Sequence, residues 1–534
     1  MFRQILILFP LCLLSTTVAL AEQTPTRPNE PAQAQAQKLS TTPKLFVKGF
    51  NFTGNTLLSA EELNAITQKY TGRELAIEQL EEMRQSINNL YLQKGLINSG
   101  IIIPDQQVTA GVITLRVIEG KLTSVGVTGL NHFSSSYIKY KLGQSSIDPL
   151  NINILQERLQ LLQQDPRIKR INSELKPGEI LGQADLKVKI EEESPYKITV
   201  RFHNDAAPST GSYKGEASLA HRNVFGYGDT LNIDFGGTRG ALDYGGGYTF
   251  SILPTDTTIG GYYRKSESTV IEEQFSDLDI KSTSETSGIK IRQPLYHSLS
   301  GEFALALVGE HRRSQSTILG RDFSFSLGEQ NGAAKVSVVR FGQEYVKRDN
   351  SYLLAINSNF NYGLTVLGAT ENETGPDSRF FSWLGQFMLL GRMGQSQVQG
   401  LFKTNAQVAG NGLLPLEKFG LGGMNSVRGY RSNVLLRDTG VNSSLEFRIP
   451  VTNGKKAWGT LQIVPFVDGG WGKDAATNSP KEDHIASVGS GIRWSFWEGA
   501  LLEAYYGYGL NKVTDNKKEL ADQGIHFQLT LEVL

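Results

Sequence analysis

The sequence predicts a membrane-embedded β-barrel that follows two copies of a small α/β unit. Three observations support this fold class. From about residue 196 onward, apolar and polar residues alternate with a period of two, as in strands with one lipid-facing and one wet face. After residue 21, no apolar run approaches the roughly 20 residues that a membrane-spanning helix needs. Residues 44–195 carry the same β-α-α-β-β pattern twice, which indicates an internal repeat.

Residues 1–21 have the pattern of a signal peptide. Arg3 supplies the positive start, Ile5–Leu14 is the apolar stretch, and Ala19–Ala21 has the small-x-small form of a cleavage site. Cys12 is the one cysteine of the sequence and lies within this segment. We therefore expect an exported chain whose mature form contains no disulfide.

The composition limits the possible partners and the class of protein. The 53 basic and 53 acidic residues balance, so we expect no binding to nucleic acid. The 56 glycines and 19 tyrosines suit strands, tight turns and the aromatic girdles of a barrel. Residues 22–43, rich in Pro, Gln, Ala and Thr, have the composition of a linker. A soluble, exported β-rich protein is the alternative at this point.

The first α/β unit is predicted over residues 44–120. Ser59 and Glu62 form a capping box at the start of a short helix. A longer helix over Leu75–Lys94 carries an apolar stripe and ends at Gly95. The predicted strands are Lys44–Phe50, Ile97–Ile103 and Val112–Ile118.

The second unit is predicted over residues 121–195 in the same order of elements. Its strands are Val125–Leu130, Ile168–Leu175 and Asp185–Glu191, and its helices are Ser134–Leu142 and Leu150–Gln163. Two units of about 75 residues are each just large enough for a small core.

One stretch, Gly420–Ser432, breaks the alternation of the barrel region. Its three glycines precede Val427, Arg428, Gly429 and Tyr430, so a flexible turn presents one cation and one phenol. An arginine inside a barrel needs a paired acceptor, because an unpaired charge in a confined space is costly. The predicted acceptor is Asp468, in a strand-like run with Phe466 and Gly470. The alternative is an arginine that only lines a wet wall.

A second motif lies near the start of the barrel region. Gly226 and Gly228 allow a tight hairpin, and Asp229 can cap it. Asn223 and Phe225 complete the motif, whose alternative interpretation is an ordinary turn.

The sequence contains no recognisable catalytic motif. It has no phosphate-binding loop of the Walker type, no G-x-S-x-G elbow and no H-E-x-x-H pair. The seven histidines are scattered without metal-ligand spacing. We therefore expect neither an enzyme nor a bound metal or cofactor.

Several stretches resemble two-partner secretion transporters, the family of haemolysin and filamentous haemagglutinin secretion and activation proteins. Tyr91–Gly120 resembles the end of the first POTRA domain of that family, and Leu162–Ile190 the end of the second. His221–Ile233 is similar to a turn of POTRA-bearing barrels. Gly420–Tyr430 is similar to the tip of an inward-folded extracellular loop, and Phe466–Gly470 to the strand on which that loop docks.

The resemblance implies a complete architecture. It consists of two α/β POTRA domains, residues 44–120 and 121–195, followed by a 16-stranded antiparallel transmembrane β-barrel over residues 196–534. A loop near 410–440 would fold into the lumen, with the tip Val427–Tyr430 held by Asp468. The number of strands comes from the resemblance, because the alternation alone does not count them.

The function implied by the resemblance is secretion of one large partner, such as an adhesin, a haemolysin or a contact-dependent toxin. The protein would be a monomeric barrel in outer-membrane lipid with its POTRA domains in the periplasm. An unfolded partner could add a strand to a sheet edge of the first unit, beside its long helix. The candidate contacts are Ile101, Ile103, Met83 and Ile87, whose alternative role is to pack the core of the domain.

Two other functions compete with secretion. An outer-membrane assembly factor that inserts other barrels is the first, but such factors usually carry three or more POTRA repeats. A passive porin is the second, and it would have no use for two periplasmic domains.

Overall fold

The computed structural model describes residues 39, 44–108, 110–143, 148–252, 255–452, 459–475, 482–513 and 519–533. The predicted signal peptide, residues 1–21, and all of the predicted linker except Leu39 lie outside these residues. The chain divides into two compact units. One contains the described residues up to Asn88 together with those of Ile101–Val117, and the other contains Asn89–Gly100 and the described residues from Ile118 onward.

The first α/β region has the two predicted helices and the two predicted closing strands, but the predicted first strand, Lys44–Phe50, divides into two strands and an additional strand lies between the helices. Its strands and helices are β1 (Lys44–Val47), β2 (Gly49–Thr53), α1 (Ala60–Thr67), β3 (Arg73–Ala76), α2 (Ile77–Gln93), β4 (Gly100–Ile102) and β5 (Val112–Ile118). Strand β5 lies between β2, with which it is parallel, and β4. The predicted capping box is confirmed, because the Ser59 hydroxyl accepts from the Glu62 N–H at 3.2 Å and the Glu62 carboxylate accepts from the Ser59 N–H at 3.0 Å.

Two boundaries in this region differ from the prediction. The helix expected from Leu75 begins at Ile77, because Arg73–Ala76 pairs with β1 as a strand. The strand expected over Ile97–Ile103 covers only Gly100–Ile102, because the N–H of Ser99 closes a turn on the carbonyl of Leu96. Among the described helices, none is long and apolar enough to cross a bilayer.

The second α/β region repeats the pattern. It consists of β6 (Lys121–Thr128), α3 (Ser135–Lys141), α4 (Ile152–Gln163), β7 (Ile168–Pro177) and β8 (Gln183–Glu192). Strand β8 lies in the middle, parallel to β6 and antiparallel to β7. Alternate residues of β8 point into a core that both helices cover, including Leu186, Val188 and Ile190. The predicted repeat is therefore confirmed.

The rest of the chain forms a closed antiparallel barrel, as predicted. Its strands are β9 (Tyr196–His203), β10 (Lys214–His221), β11 (Thr230–Gly237), β12 (Ala241–Ile252), β13 (Thr257–Thr269), β14 (Lys281–Ser298), β15 (Gly301–Ile318), β16 (Arg321–Asp322), β17 (Ala333–Arg348), β18 (Tyr352–Leu364), β19 (Phe381–Arg392), β20 (Gln399–Ala409), β21 (Phe419–Leu421), β22 (Leu435–Arg437), β23 (Thr439–Pro450), β24 (Thr460–Lys473), β25 (Glu482–Trp497), β26 (Ala500–Gly509) and β27 (Ile525–Val533). The two-residue β16 pairs antiparallel with the end of β15, and β21 pairs with β22 in a separate two-stranded sheet. The wall therefore has sixteen strands within the described residues, and β27 closes it on β9.

The alternation of the sequence sets the two faces of the wall. On β12, Leu242, Phe250 and Ile252 lie at alternate positions that face outward, and they are 53%, 41% and 39% exposed. The intervening Asp243 points inward, where it forms an ion pair with Lys214 of β10 at 2.7 Å. The barrel thus has an apolar exterior and a polar, charged lumen.

Candidate functional site

A long loop between β20 and β23, residues 410–438, lies inside the barrel, and we call it the lumenal loop. It contacts the inward-facing side chains Ser444 and Asp468, whose chain neighbours Leu445 and Val467 are 42% and 57% exposed on the outer surface. Strands β21 and β22 form a short hairpin within the loop. Its apolar side chains bury against Ile485 of the wall; they are Phe419, Leu421, Val427, Tyr430 and Leu435.

Arg428, near the tip of the loop, is held by two carboxylates. Its Nε and Nη2 donate to the two oxygens of Asp468 at 2.8 and 2.9 Å, and its backbone N–H donates to the same group at 3.0 Å. Its Nη1 donates to Glu446 at 2.8 Å, and Nη2 also donates to the Ser444 hydroxyl at 2.9 Å. The predicted contact between Arg428 and Asp468 is present, and Glu446 adds a second acid that we did not predict.

Aromatic rings cover the guanidinium of Arg428. Its central carbon lies 3.6 Å from the ring centre of Phe466 and 4.9 Å from that of Tyr505. Arg428 is only 4% exposed and Asp468 only 1%. Phe466 therefore belongs to the site, as predicted, but as an aromatic partner of the cation.

A second arginine shares the carboxylates around Arg428. Glu446 also accepts from the Nε of Arg448 at 2.9 Å, so two arginines face two carboxylates. Removal of one partner from a buried ion pair of this kind is strongly destabilising, because the remaining charge would be left uncompensated.

A series of wall glycines makes room for the tip. A Cβ atom on Gly507 would lie 2.7 Å from the nitrogen of Gly429, and one on Gly509 would lie 2.9 Å from the ring of Tyr430. A Cβ on Gly470, a predicted site residue, would lie 3.1 Å from Val427. The glycines thus form a smooth surface on which the loop backbone rests.

Tyr430 attaches the tip of the loop to a further part of the barrel. Its hydroxyl lies 2.9 Å from the carbonyl of Ala486 and 2.9 Å from the N–H of Asn511, donating to the first and accepting from the second. The ring is 7% exposed. The phenol therefore connects the loop to β25, the strand next to the one that carries Asp468, and to the segment that follows β26.

A second anchor lies near the base of the loop and was missed in the sequence. The Glu417 carboxylate accepts from Nη1 of Arg312 at 3.0 Å and from both Nη1 and Nη2 of Arg340 at 3.0 and 2.9 Å. Arg340 in turn reaches Glu310 at 2.9 Å. These arginines lie on β15 and β17, so the loop is attached to two separate parts of the wall.

The loop also contacts the seam where the first and last strands meet. The N–H of Met424 donates to Asp205 at 3.1 Å, and the N–H of Gly429 donates to Nε2 of His526 at 3.2 Å. Asn204 joins the two strands with its side chain, through Phe527 N–H at 2.8 Å and the carbonyl of Ile525 at 2.8 Å. In the sequence, the only signal for Asn204, Asp205 and His526 is that each is a polar residue at or near the end of a strand.

The turn motif of residues 223–229 lies at the end of the barrel next to the second α/β region. Asp229 accepts from the N–H of Phe225 at 3.0 Å, and Asn223 accepts from the N–H of Gly228 at 3.0 Å. The carbonyl of Gly226 accepts from the N–H of Ser134, at the start of α3, at 2.9 Å. The turn is thus a contact with the second α/β region as well as a hairpin.

The candidate contacts in the first α/β region lie mostly in its core. Met83 and Ile87 of α2 are fully buried and Ile101 of β4 is 1% exposed, so these three side chains pack the domain, as the alternative interpretation held. A folded domain cannot present them to a partner. Ile103 is partly exposed and is the one of the four that lies at the rim.

No group of three or more His, Cys, Asp or Glu among the described residues is placed to hold a metal ion.

Comparison with known proteins gives two family matches. The model of the haemolysin secretion/activation protein ShlB/FhaC/HecB family matches residues 182–494, and that of the ShlB-type POTRA domain matches residues 45–120. The chain is 24% identical over 475 residues to the outer membrane transporter CdiB of Dickeya dadantii, covering 86% of this chain and 80% of that protein. It is 21% identical over 484 residues to the heme/hemopexin transporter protein HuxB of Haemophilus influenzae, covering 83% and 79%.

Solved structures share the fold. CdiB from Escherichia coli superposes with a TM-score of 0.68 at 18% identity, covering 95% of this chain and 93% of its own. CdiB from Acinetobacter baumannii gives 0.64 at 19% identity, covering 96% and 95%.

Proposed function

Since the chain belongs to the ShlB/FhaC/HecB family of haemolysin secretion/activation proteins, we infer that it is an outer-membrane transporter that exports a partner protein through its barrel. The barrel lies in the outer membrane and the two POTRA domains lie in the periplasm, as in the transporters that it resembles. The partner is one large secreted protein, such as an adhesin, a haemolysin or a contact-dependent toxin.

The observation that carries this proposal is the lumenal loop, which lies in the pore and is held against the barrel wall by noncovalent contacts. Its tip is held by the Arg428–Asp468 pair and its base by Glu417. A passive porin has no use for two periplasmic POTRA domains, whereas a protein exporter needs them to receive its client and also needs a pore that is obstructed at rest and passable during transport. Ion pairs and hydrogen bonds can be exchanged for others as a client enters.

The POTRA domains offer sheet edges to an unfolded client. Strands β2 and β4 are the outer strands of the first sheet, and β6 and β7 are those of the second. An extended client could pair with such an edge, with its main chain supplying affinity and its side chains supplying choice. Because Met83, Ile87 and Ile101 are buried, the apolar contacts must come from the rim, where Ile103 is joined by Ile97, which is 42% exposed.

The driving force comes from the client. No nucleotide is expected outside the inner membrane, so net movement needs a step that removes unfolded chain from the pore. Folding of the emerged part outside the cell does so by mass action. We propose that one barrel serves one client as a monomer in outer-membrane lipid.

Deletion of the gene in its host tests the function. Mass spectrometry of the medium and the cell surface should find one large protein lost, and a plasmid copy of the gene should restore it. An unchanged set of external proteins would contradict export. A general loss of outer-membrane barrels would instead favour an assembly factor.

A further inference from the structure

A cleft of about 380 Å³ lies in the lumen between the lumenal loop and the wall strands β19, β20 and β23. We call it the amide cleft, because carboxamide side chains line both of its sides. On the wall they are Gln386, Asn405, Gln407 and Asn442, and on the loop they are Asn425 and Asn433.

The wall amides form a row across three strands. Gln386 is paired in register with Asn405, and Asn405 with Asn442, so their side chains are neighbours on the inward face. The amide of Gln386 donates to Asn405 at 3.2 Å, and the amide of Asn405 donates to Asn442 at 2.9 Å. The three side chains therefore hold one another in a fixed orientation.

The loop side of the cleft is open. Asn425 and Asn433 are both exposed, and so is Gln386 opposite them. Asn433 has a φ of 53°, a conformation that asparagine tolerates better than most residues, and this turns the loop at that point. Amides therefore face one another across water-accessible space.

The polar lining of the cleft differs from that of the two anchors of the lumenal loop. The site of Arg428 and the cluster around Glu417 and Arg340 both consist of ion pairs. Of the charged residues at the cleft itself, Lys418 is already paired with Asp438 at 3.2 Å and with Asp474 at 2.8 Å. Asp205 accepts from the backbone of the loop at Met424. Neutral amides therefore form most of the polar lining of the cleft, and its two charged residues, Lys418 and Asp205, already have partners.

A carboxamide carries both a donor and an acceptor, and an extended peptide offers one N–H and one C=O at nearly every residue. A row of amides can therefore bind main chain of any sequence. Because the amides are neutral, they neither trap nor repel charged side chains of the passing chain. Ion pairs on the wall would do both.

We propose that the amide cleft is the binding site for the extended main chain of the exported protein. The proposal rests on the proposed function and adds the path and the chemical class of the ligand, an extended peptide recognised through its backbone. It also assigns the lumenal loop a second task, since Asn425 and Asn433 form one side of that path.

Disulfide trapping tests the path. The sequence has no cysteine after Cys12, so single cysteines can be introduced in a clean background. The probe is the protein identified by the deletion experiment, fused at its carboxy-terminus to a stably folded domain that stalls export and carrying one cysteine in the stalled segment. We expect cross-links to Gln386→Cys and Asn425→Cys at least several-fold above those to Ser218→Cys, an inward position on β10.

A rate measurement supports the trap without relying on a stalled chain. Gln386→Leu combined with Asn425→Leu should slow export by about fivefold for each hydrogen bond lost, with barrel insertion unchanged. Ser218→Leu should export at the wild-type rate.

The outcomes separate the two proposals. Cross-links at Ser218→Cys equal to or above those in the cleft, or normal export by the double leucine variant, would overturn the amide cleft while export itself stands. If the wild-type barrel exports no protein, the proposed function fails and the cleft fails with it.

Discussion

The backbone of Gly429 lies directly against that of Gly507 in the barrel wall. A Cβ on Gly429 would lie 2.9 Å from the Gly507 carbonyl oxygen, and a Cβ on Gly507 would lie 2.7 Å from the Gly429 nitrogen. Gly429 also has a φ of 94°, which disfavours any other residue. The backbone of the loop tip therefore packs directly against the backbone of the wall, and this contact places Arg428 beside Asp468.

Gly507→Val should displace the tip from the wall while the barrel still forms. The new side chain has no free space, because it would meet the backbone of Arg428 and Gly429 rather than a flexible side chain. Trypsin cleavage at Arg428, which is 4% exposed in the wild type, should become fast in intact outer membranes. Export should fall. Gly469→Val is the matched control, because no described atom lies within 4 Å of its Cβ, and it should remain resistant to trypsin at Arg428.

Arg428→Ala should leave barrel insertion largely intact and lower export at least tenfold. The substitution leaves Asp468 and Glu446 without their shared cation. Breaking a buried ion pair in this way destabilises the attached loop by on the order of 3 kcal/mol. Arg428→Lys should give an intermediate rate, because an ammonium cannot donate to both acids in the same forked geometry. Heat-modifiability on gels reports insertion, and partner protein in the medium reports export.

The double variant Arg428→Ala/Asp468→Ala should be little worse than either single one, because both changes break the same contact. Additive losses would mean that the two residues act separately. Wild-type export by inserted Arg428→Ala would contradict its role.

Glu417→Gln should release the base of the lumenal loop and leave its tip in place. A neutral amide replaces the carboxylate that both Arg312 and Arg340 bind. This change weakens the attachment of the loop base by on the order of 2 kcal/mol. We expect more frequent channel openings in planar bilayers, with trypsin resistance at Arg428 unchanged. Glu344→Gln is the control, because Glu344 binds Lys290 and Arg292 of the wall and neither of those ion pairs includes the loop. Equal opening in both variants would argue against a second anchor.

Gly226→Ala should loosen the second POTRA domain from the barrel. Gly226 has a φ of 87°, and a Cβ atom on it would lie 2.8 Å from the His132 carbonyl oxygen. Backbone strain and steric collision therefore both destabilise the substituted turn, by about 1–3 kcal/mol. Spin labels on Lys187 and Asp349 should give a broader distance distribution. Gly320→Ala separates strain from collision, because Gly320 has a φ of 72° with no described atom within 4 Å. A broadening as large in that control would exclude a contact effect.

Local patterns in the sequence predicted much of the fold and one contact of the site. The capping box at Ser59, the repeated α/β units and the alternation in the strands each follow from neighbouring residues. The pairing of Arg428 with Asp468 could be predicted because each residue breaks an otherwise regular stretch.

Long-range partners could not be predicted in this way. Glu417 and Arg312 are 105 positions apart, and nothing near either residue marks the other. Glu446 is one of many inward-facing acids, and Gly507 is one of 56 glycines, so neither stands out before the loop is placed. Buried Met83 and Ile87 carry the same apolar pattern that a docking groove would.

The second POTRA domain should lose local stability at acid pH through Glu192. Its carboxylate accepts from the backbone N–H groups of Asn131, His132 and Phe133 at 3.1, 2.8 and 3.0 Å. Burial alone would raise the pKa of Glu192, but these hydrogen bonds, with a contact to the His132 ring, hold the pKa below its usual value. A lowered folded pKa stabilises the domain above the unfolded value of about 4.3, and this stability is lost as pH falls through the folded pKa.

Hydrogen exchange of residues 131–133 in the full-length protein, corrected for intrinsic rates, measures this effect. Protection should fall below about pH 5, as Glu192 takes up a proton. Glu192→Gln should lower protection at pH 7 by about fivefold, since hydrogen bonds to a charged acceptor exceed neutral ones by about 1 kcal/mol, and should remove the acid transition. Glu191→Gln is the control, because its carboxylate is 53% exposed and pairs with Lys169 at the surface. Retention of the acid transition in Glu192→Gln would assign it to another group.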